Sequence, residues 1–499
     1  MPVKEPNPIS GSMMSIKHKL LAALGIVVVA LLVFAIYAWY GNPSDKPISA
    51  TTGTDPELVE AETRWIPSVS LAEPAGWGAN DAPVAGEGLR VTRFAAGLDH
   101  PRTMLALPNG DILVAETNGP PQEGGGITGF FKRLFMDRVG AGVPSPDRIM
   151  LLRDSDGDGQ ADQRSTFRSE DLSSPSGMAY GEGRLYIANH DAVLAFDFEP
   201  GPASLTGEPE KLMDLPGGGD HWMRALLLSP DNGKLYVAVG SATNIADSGL
   251  EAEQGRAAIW EIDTATGQRR QFAGGLRNPN AMAWNPSTEE LWTVVNERDM
   301  IGPDLVPDYL TNVPVGAQYG WPWIYWKDQY DDRVDLPMPL YMNEYVRRPE
   351  YALGAHTAPL GMLFSTGGNR MGTSFGNGAF IARHGSWNRK PPSGYDVIFV
   401  PFDANGNPQD GVKQVLTGFL TDDGGEARGR PVWLAWDGQG GLLVSDDTAG
   451  IIWRVIAPGA EASEGPAPVE VDSMPPVKNL QGDPNAQFKG SLEDDYATY

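Results

Sequence analysis

The chain contains no cysteine. That excludes disulfides, thiolate nucleophiles, iron–sulfur clusters and covalently attached c-type haem, while leaving the redox compartment open. Positive charge is also short: 38 Lys and Arg face 64 Asp and Glu, a formal net charge of −26. Such a surface repels nucleic acid and anionic headgroups, so nucleic-acid binding is set aside. Histidine is scarce, with six in 499 residues. Only one long uncharged apolar run stands out, Leu20–Tyr40. It is long enough to span a bilayer, follows Lys17 and Lys19, and closes on Trp39 and Tyr40 in the manner of an interfacial belt. A cleaved signal peptide usually has a shorter apolar core and a small-x-small cleavage site, and neither is evident. The expectation is an uncleaved single-pass anchor in a bacterial inner membrane. Residues 1–19 would be cytoplasmic, 20–40 transmembrane, and the rest periplasmic. A long signal peptide is the alternative.

What is present in quantity is turn chemistry. Sixty glycines and 42 prolines are spread along the chain, which fits short strands joined by turns better than long helices. Residues 41–87 are expected to be a linker that ends as edge structure, and the acidic, Pro-rich residues 458–499 a disordered tail. Between them, in residues 88–457, one phrase recurs six times. It reads "HPRTMLALPNGDILVAE" from His100, "SPSGMAYGEGRLYIAN" from Ser174 and "HWMRALLLSPDNGKLYVAV" from His221. It continues as "RNPNAMAWNPSTEELWTVV" from Arg277, "HTAPLGMLF" with "GNGAFIARH" from His356, and "GRPVWLAWDGQGGLLVSDD" from Gly429. Each copy is a polar or proline lead-in, a short apolar strand, a turn with Gly, Asn or Asp, and a second apolar strand. The copies lie roughly 50 to 90 residues apart, of the order expected for propeller blades. An all-β, six-bladed β-propeller behind an N-terminal transmembrane helix explains the recurrence; two separate sandwiches do not.

In a propeller the innermost strand of each blade lines a central channel, so the lead-ins should meet at one mouth. They carry His100, Arg102, Ser174, Asp220, His221, Arg277, Asn278, His356, Thr357, Arg428 and Arg430. Several Arg and three His converging in an acidic protein suggest a positive funnel for a small polyanionic ligand, with a general base beside it. Taken singly, each of these side chains is as readily explained by hydrogen bonding to turn backbone. As a set at a concave mouth they favour a site.

Six motifs in order carry a family resemblance: "GGLRNPNAMAWNP", "NERDMIGPDLVPDYLTNV", "QYGWPWIYW", "LGAHTAPLGMLF", "HGSWNRKPPSGYDVIFVPF" and "GRPVWLAWDGQGGLLVSDDTAGIIWRV". Over about residues 88–457 the chain resembles the glucose/sorbosone dehydrogenase family, nearer to its sorbosone branch. The resemblance implies a six-bladed propeller using pyrroloquinoline quinone (PQQ) to oxidise a sugar or sugar aldehyde. It implies His221 as catalytic base, and Arg277 and Asn278 as groups polarising the quinone oxygens. Arg428 and Arg430 match a pair contacting cofactor carboxylates and substrate, and Asn244 and Thr357 fall where cofactor contacts are expected. Two departures stand out. His384 replaces a cofactor-contacting lysine, and Gly240-Ser241 replaces a Gly-Asp whose Asp supports the base, a loss for which Asp220 is the candidate to compensate. The resemblance also implies Ca²⁺ held by backbone carbonyls of the "NERDMIGPD" loop, which suggests Arg298 and Asp299. With no site for haem c, electrons would leave to a separate acceptor, a cytochrome or a quinone.

A second metal signal is independent of the resemblance. "DSDGDGQAD" places Asp154, Asp156, Asp158 and Asp162 in one short loop. It reads like the front half of an EF-hand, with Ser165 where the bidentate Glu belongs. Ca²⁺ is expected there in a structural role, against a solvated acidic turn. Two other functions compete: a Ca²⁺-dependent lactonase-type hydrolase, which would need carboxylate and Asn ligands inside the channel, and a binding propeller that has lost its chemistry.

Overall fold

The computed structural model describes residues 16–40, 43–63, 68–120 and 143–469. Its first element is an α-helix, Ile16–Tyr40. Residues Lys17–Ile36 of it form a candidate membrane span of mean hydropathy 2.8, with no part of the span buried in the protein.

The body is a six-bladed β-propeller, and each recurring phrase opens one blade. The innermost strands are Pro101–Ala106, Gly177–Gly181, Leu226–Leu228, Pro279–Trp284, Pro359–Phe364 and Pro431–Trp436. Each packs against the next around the ring. Every blade is an antiparallel meander from the axis outward. The ring closes where the early strand Arg90–Ala96 pairs with the last, Ile451–Ile456, as the outer edge of the sixth blade. Second strands such as "KLYVAV" (Lys234–Val239) are buried on both faces, which is why they read as unbroken apolar runs rather than alternations. The core is divided into clusters between neighbouring blades. Phe196 and Ile187 join Leu113 and Leu151 between the first two blades, and Trp453 joins Phe380 and Phe399 between the last two.

The innermost strands of blades one, four, five and six are bulged near their starts, at Pro101/Met104, Pro279/Met282, Pro359/Gly361 and Pro431/Leu434. Proline cannot donate to the ladder, and a bulge re-aims its neighbours. Arg102, Asn280 and Leu360 are thereby turned into the channel mouth.

Residues 43–63 and 68–87 are not the linker expected from composition; they are a strap packed on the propeller. Thr52–Gly53 adds a strand to the fourth blade and Val84–Ala85 to the fifth. Trp77 wedges edge-on against Phe419 and Trp453. The expected disordered tail lies outside the described residues from 470 onward. Its beginning is tied down, with the Ser463 N–H on Asn369 carbonyl and that of Val469 on Ser287 carbonyl.

Candidate functional site

The mouth formed by the lead-ins encloses a cavity of ≈ 260 Å³. His221, Arg277, Asn278, His384, Arg430 and Asp299 line it, together with Arg102, Asp220, Trp222, Asp308, His356 and Trp387.

His221 is set by the turn that follows the second strand of its blade. The Glu253 carboxylate accepts the backbone N–H groups of Ala242 (2.6 Å) and Thr243 (3.0 Å) and the Thr243 hydroxyl (2.9 Å). That fixes Ser241. The Ser241 hydroxyl donates to the Thr243 carbonyl at 2.7 Å, so its oxygen is left to accept. His221 Nδ1 lies 2.9 Å from the Ser241 carbonyl and 3.0 Å from that hydroxyl oxygen. Both are acceptors, so Nδ1 carries the proton and Nε2 the lone pair. Burial, with the Arg277 charge behind it, lowers the imidazole to about 3 and keeps it neutral. Ser241 thus takes over the orienting duty of the missing aspartate, and Asp220 lies beside the ring in the cavity wall.

Arg277 is spent on the protein. Its guanidinium donates to the Asn244 carbonyl and side-chain oxygen, to the Glu297 carbonyl, and to Asp299 at 3.4 Å. Asn244 does not line the cavity. It stands behind the wall, bridging Arg277 to the backbone N–H and carbonyl of Asp299. Asp299 also pairs with His356 Nδ1 at 3.2 Å and accepts Asn388 at 3.3 Å. Burial would raise Asp299, but His356, Arg277 and Asn388 hold it at about 2.

Across the cavity His384 Nε2 faces both Asp447 oxygens, at 3.1 and 3.2 Å. Asp447 also pairs with Arg102, and Arg102 stacks over Trp222 at 5.4 Å. Burial and the Arg430 charge lower His384 to about 4, while His384 and Arg102 drive Asp447 far below the carboxylate range against its own burial. Arg430 donates to the carbonyls of His384 (3.0 Å) and Gly385 (2.9 Å).

Several expectations need correction. The mouth is not a positive funnel: Arg102 and Arg277 each have a carboxylate partner, and Asp220, Glu297 and Asp308 share the lining. Arg428 lies outside the cavity, exposed, over the ring of Trp77 at 5.9 Å. Its place is set by the strap. Thr357 is fully buried, its hydroxyl toward Asp308. His100 and Ser174 do not line the cavity. The Arg298 side chain is buried away from it, on Glu297 and the carbonyls of Pro322 and Ile324. The Asp299 carbonyl already accepts Asn244 and Arg333, and its carboxylate meets only donors. As placed, the Arg298 side chain and the Asp299 oxygens are committed to protein partners rather than to Ca²⁺, which takes oxygen lone pairs. In the acidic loop Asp154, Asp156 and Asp158 offer ligand atoms within 4.8 Å of one another. Asp162 is not among them; it accepts the Ser155 N–H and hydroxyl.

Asp447 and Asp308 were not anticipated. Burial raises Asp308 to about 7 despite the N–H groups of Glu297 and Ala358. A signal for Asp447 existed. Second strands run back toward the mouth, so the residues just after them also meet there: Ser241, Asn296, His384 and Asp447.

Fold and cavity define a propeller with its polar machinery gathered at one mouth. The chain belongs to the TrAA12-like family, whose model matches residues 147–312 and 341–457, more than half of it. It is 28% identical over 295 residues to an uncharacterized protein of Borreliella burgdorferi, covering 57% of this chain and 76% of that one. It is 25% identical over 432 residues to a pyrroloquinoline quinone-dependent pyranose dehydrogenase of Coprinopsis cinerea. That match covers 74% of this chain but only 54%, about half, of the fungal protein. A pyrroloquinoline quinone-dependent sugar dehydrogenase of Hypocrea jecorina is 24% identical, with 77% and 91% covered. The fold matches the holo form of the Coprinopsis cinerea pyranose dehydrogenase PQQ domain, with TM-score 0.60, 20% identity, and 78% and 100% covered.

Proposed function

We propose that this protein is a PQQ-dependent sugar dehydrogenase, acting on a sugar or sugar aldehyde. One observation carries the reading: a half-buried histidine of fixed tautomer, its Nε2 without a partner among the described residues, shares a cavity with Arg277 and Asn278.

The residues fit a planar, polyanionic group. Arg102 Nε is buried with no partner among the described residues, although the rest of its guanidinium is bonded. Arg430 commits only Nε and Nη2 to carbonyls. Trp222 and Trp387 supply flat walls. Arg102 and Arg430 would hold such a group on one side and Asn278 on the other, with Arg277 contributing its fixed charge. When bound, it supplies a two-electron acceptor for the hydrogen leaving a sugar carbon.

The chain's own residues handle the proton. His221 accepts the substrate hydroxyl proton at Nε2, while Ser241 keeps the ring aimed through Nδ1. Asp220 and Asp299 face the imidazolium so formed. Arg277 is held by Asn244 and Asp299, so its charge is already in place and costs no reorganisation during reaction. Aldehydes would enter as hydrates, which present the hydroxyl His221 needs. The N-terminal helix is read as a retained anchor, with the propeller in the periplasm and electrons passed to a separate cytochrome or quinone.

The test is a titration of the full-length protein in detergent with PQQ, followed by sugar-dependent dye reduction. Saturable binding that survives His221→Ala, with reduction lost, is expected. Absence of binding overturns the proposal. Hydrolysis of a lactone without PQQ would replace it with the hydrolase reading.

A further inference from the structure

We propose that the cavity-bearing end of the propeller faces the lipid bilayer, with its mouth opening onto the membrane surface. This rests on reading the N-terminal helix as a retained anchor.

The argument is one of reach. The helix ends at Tyr40. Ser44 is already fastened to the mouth: its N–H donates to the Lys390 carbonyl at 2.7 Å, and its hydroxyl to Asp304 at 2.6 Å. Arg389 closes the clamp, donating to the Ser44 hydroxyl (2.6 Å), the Lys46 carbonyl (2.7 Å) and Asp304 (3.1 Å). Arg389 and Asp304 are both buried. The two clamped loops are those that bring Asp299, and His384 with Trp387, to the cavity. Further along the strap, the Glu62 N–H donates to the Ile301 carbonyl, and the Ser70 N–H to the Trp387 carbonyl. The strap is therefore sewn to the rim of the mouth.

Four peptide steps separate Tyr40 from Ser44, and whatever path they take they span at most about 15 Å. Blade strands of five or six residues make the propeller roughly 20 Å thick along its axis. Were the far end against the lipid, Ser44 would stand farther from the surface than its tether reaches. Exposed side chains at the mouth end suit the bilayer interface. Val69 lies beside Ser70, and Leu250 in the loop that holds Ser241. Tyr330 adjoins Asp331, whose partner Arg333 donates to the Asp299 carbonyl. Tyrosine and aliphatic side chains are at home at headgroup level.

The absence of cysteine makes the test clean. Single variants of the full-length chain carry a fluorophore at either end of the third blade. Ser248→Cys is in the mouth-side loop, and Ala265→Cys is in the far-end turn between Ala258–Asp263 and Arg269–Gly274. Both positions are exposed. Asp422→Cys at the mouth and Glu208→Cys at the far end form a second pair, should either of the first fail to fold. The proteins are reconstituted into phosphatidylcholine vesicles containing headgroup-nitroxide lipid, and co-flotation is checked first. At least twofold stronger quenching at Ser248 than at Ala265 is expected. Equal or reversed quenching in floating protein overturns the orientation and leaves the anchor standing. Protein that does not float removes the anchor, and the proposal with it. No arm needs PQQ, so the outcome is independent of the catalytic reading.

Discussion

Two histidines face each other across one cavity, and their surroundings differ. His221 gives its Nδ1 proton to neutral acceptors, the carbonyl and hydroxyl of Ser241. His384 turns Nε2 to a carboxylate, Asp447, which it shares with Arg102. Both rings are half-buried and neutral, but they are opposite tautomers. His221 offers Nε2 as a base, whereas His384 keeps Nδ1. A nearby carboxylate would usually raise a histidine. For His384 desolvation, with the flanking guanidiniums of Arg430 and then Arg102, outweighs that gain. The difference separates a ring poised to move a proton from one that braces Asp447 against the Arg102 guanidinium.

The sharpest way to break the comparison is to delete each ring. His221→Ala is expected to cut turnover by about 10²–10⁴-fold. His384→Ala should weaken PQQ binding with a much smaller loss of kcat at saturating cofactor. Equal losses in kcat would show the two rings doing the same job. Next comes Asp447→Ala, which strands Arg102 and His384 together. Removing one partner of a buried ion pair costs about 3–5 kcal/mol, read by denaturant unfolding of the anchor-free body.

A third test uses pH. The folded values of His221 and His384 lie below the ordinary 6.5. The unfolded chain therefore binds more protons, and stability is lost as pH falls below about 6.5, towards 3 and 4. Each ring contributes about 2 kcal/mol of that loss between pH 7 and 5. His384→Gln should flatten the acid limb by that amount, and an unchanged limb would count against a neutral His384. Ser241→Ala should show the smallest effect. It removes one of two acceptors on His221 Nδ1 and leaves the carbonyl at 2.9 Å, so about 1 kcal/mol is lost. That is roughly a fivefold fall in kcat, with KM little changed.

The blades were legible because each repeats the same strand–turn–strand phrase, and because second strands buried on both faces keep unbroken apolar runs. His221, Arg277, Asn278 and Arg430 were legible because lead-ins to innermost strands must converge. The Arg428 error and the missing Asp447 share a cause. Both depend on which chain segments pack beside the lead-in, the strap bearing Trp77 in one case and a returning strand in the other. Composition disguised that strap as a linker, since Pro, Gly and acids serve an irregular packed segment as well as a free one. The charge balance of the mouth was hidden for a related reason. The carboxylates that neutralise its arginines come from strand ends and connecting loops rather than from the lead-ins.

The sixth blade borrows its outer strand from residues 90–96, while its other three come from the end of the ring. During synthesis that early strand leaves the ribosome with no partner, and Ile451–Ile456 follows about 350 residues later. At ordinary translation rates the wait is roughly half a minute. Throughout it the strand exposes a bare edge, a template for pairing with a wrong chain. A message cut short anywhere before codon 451 therefore yields an open ring rather than a smaller one. The protein's vulnerable period is thus its own manufacture, ending only when the final strand arrives.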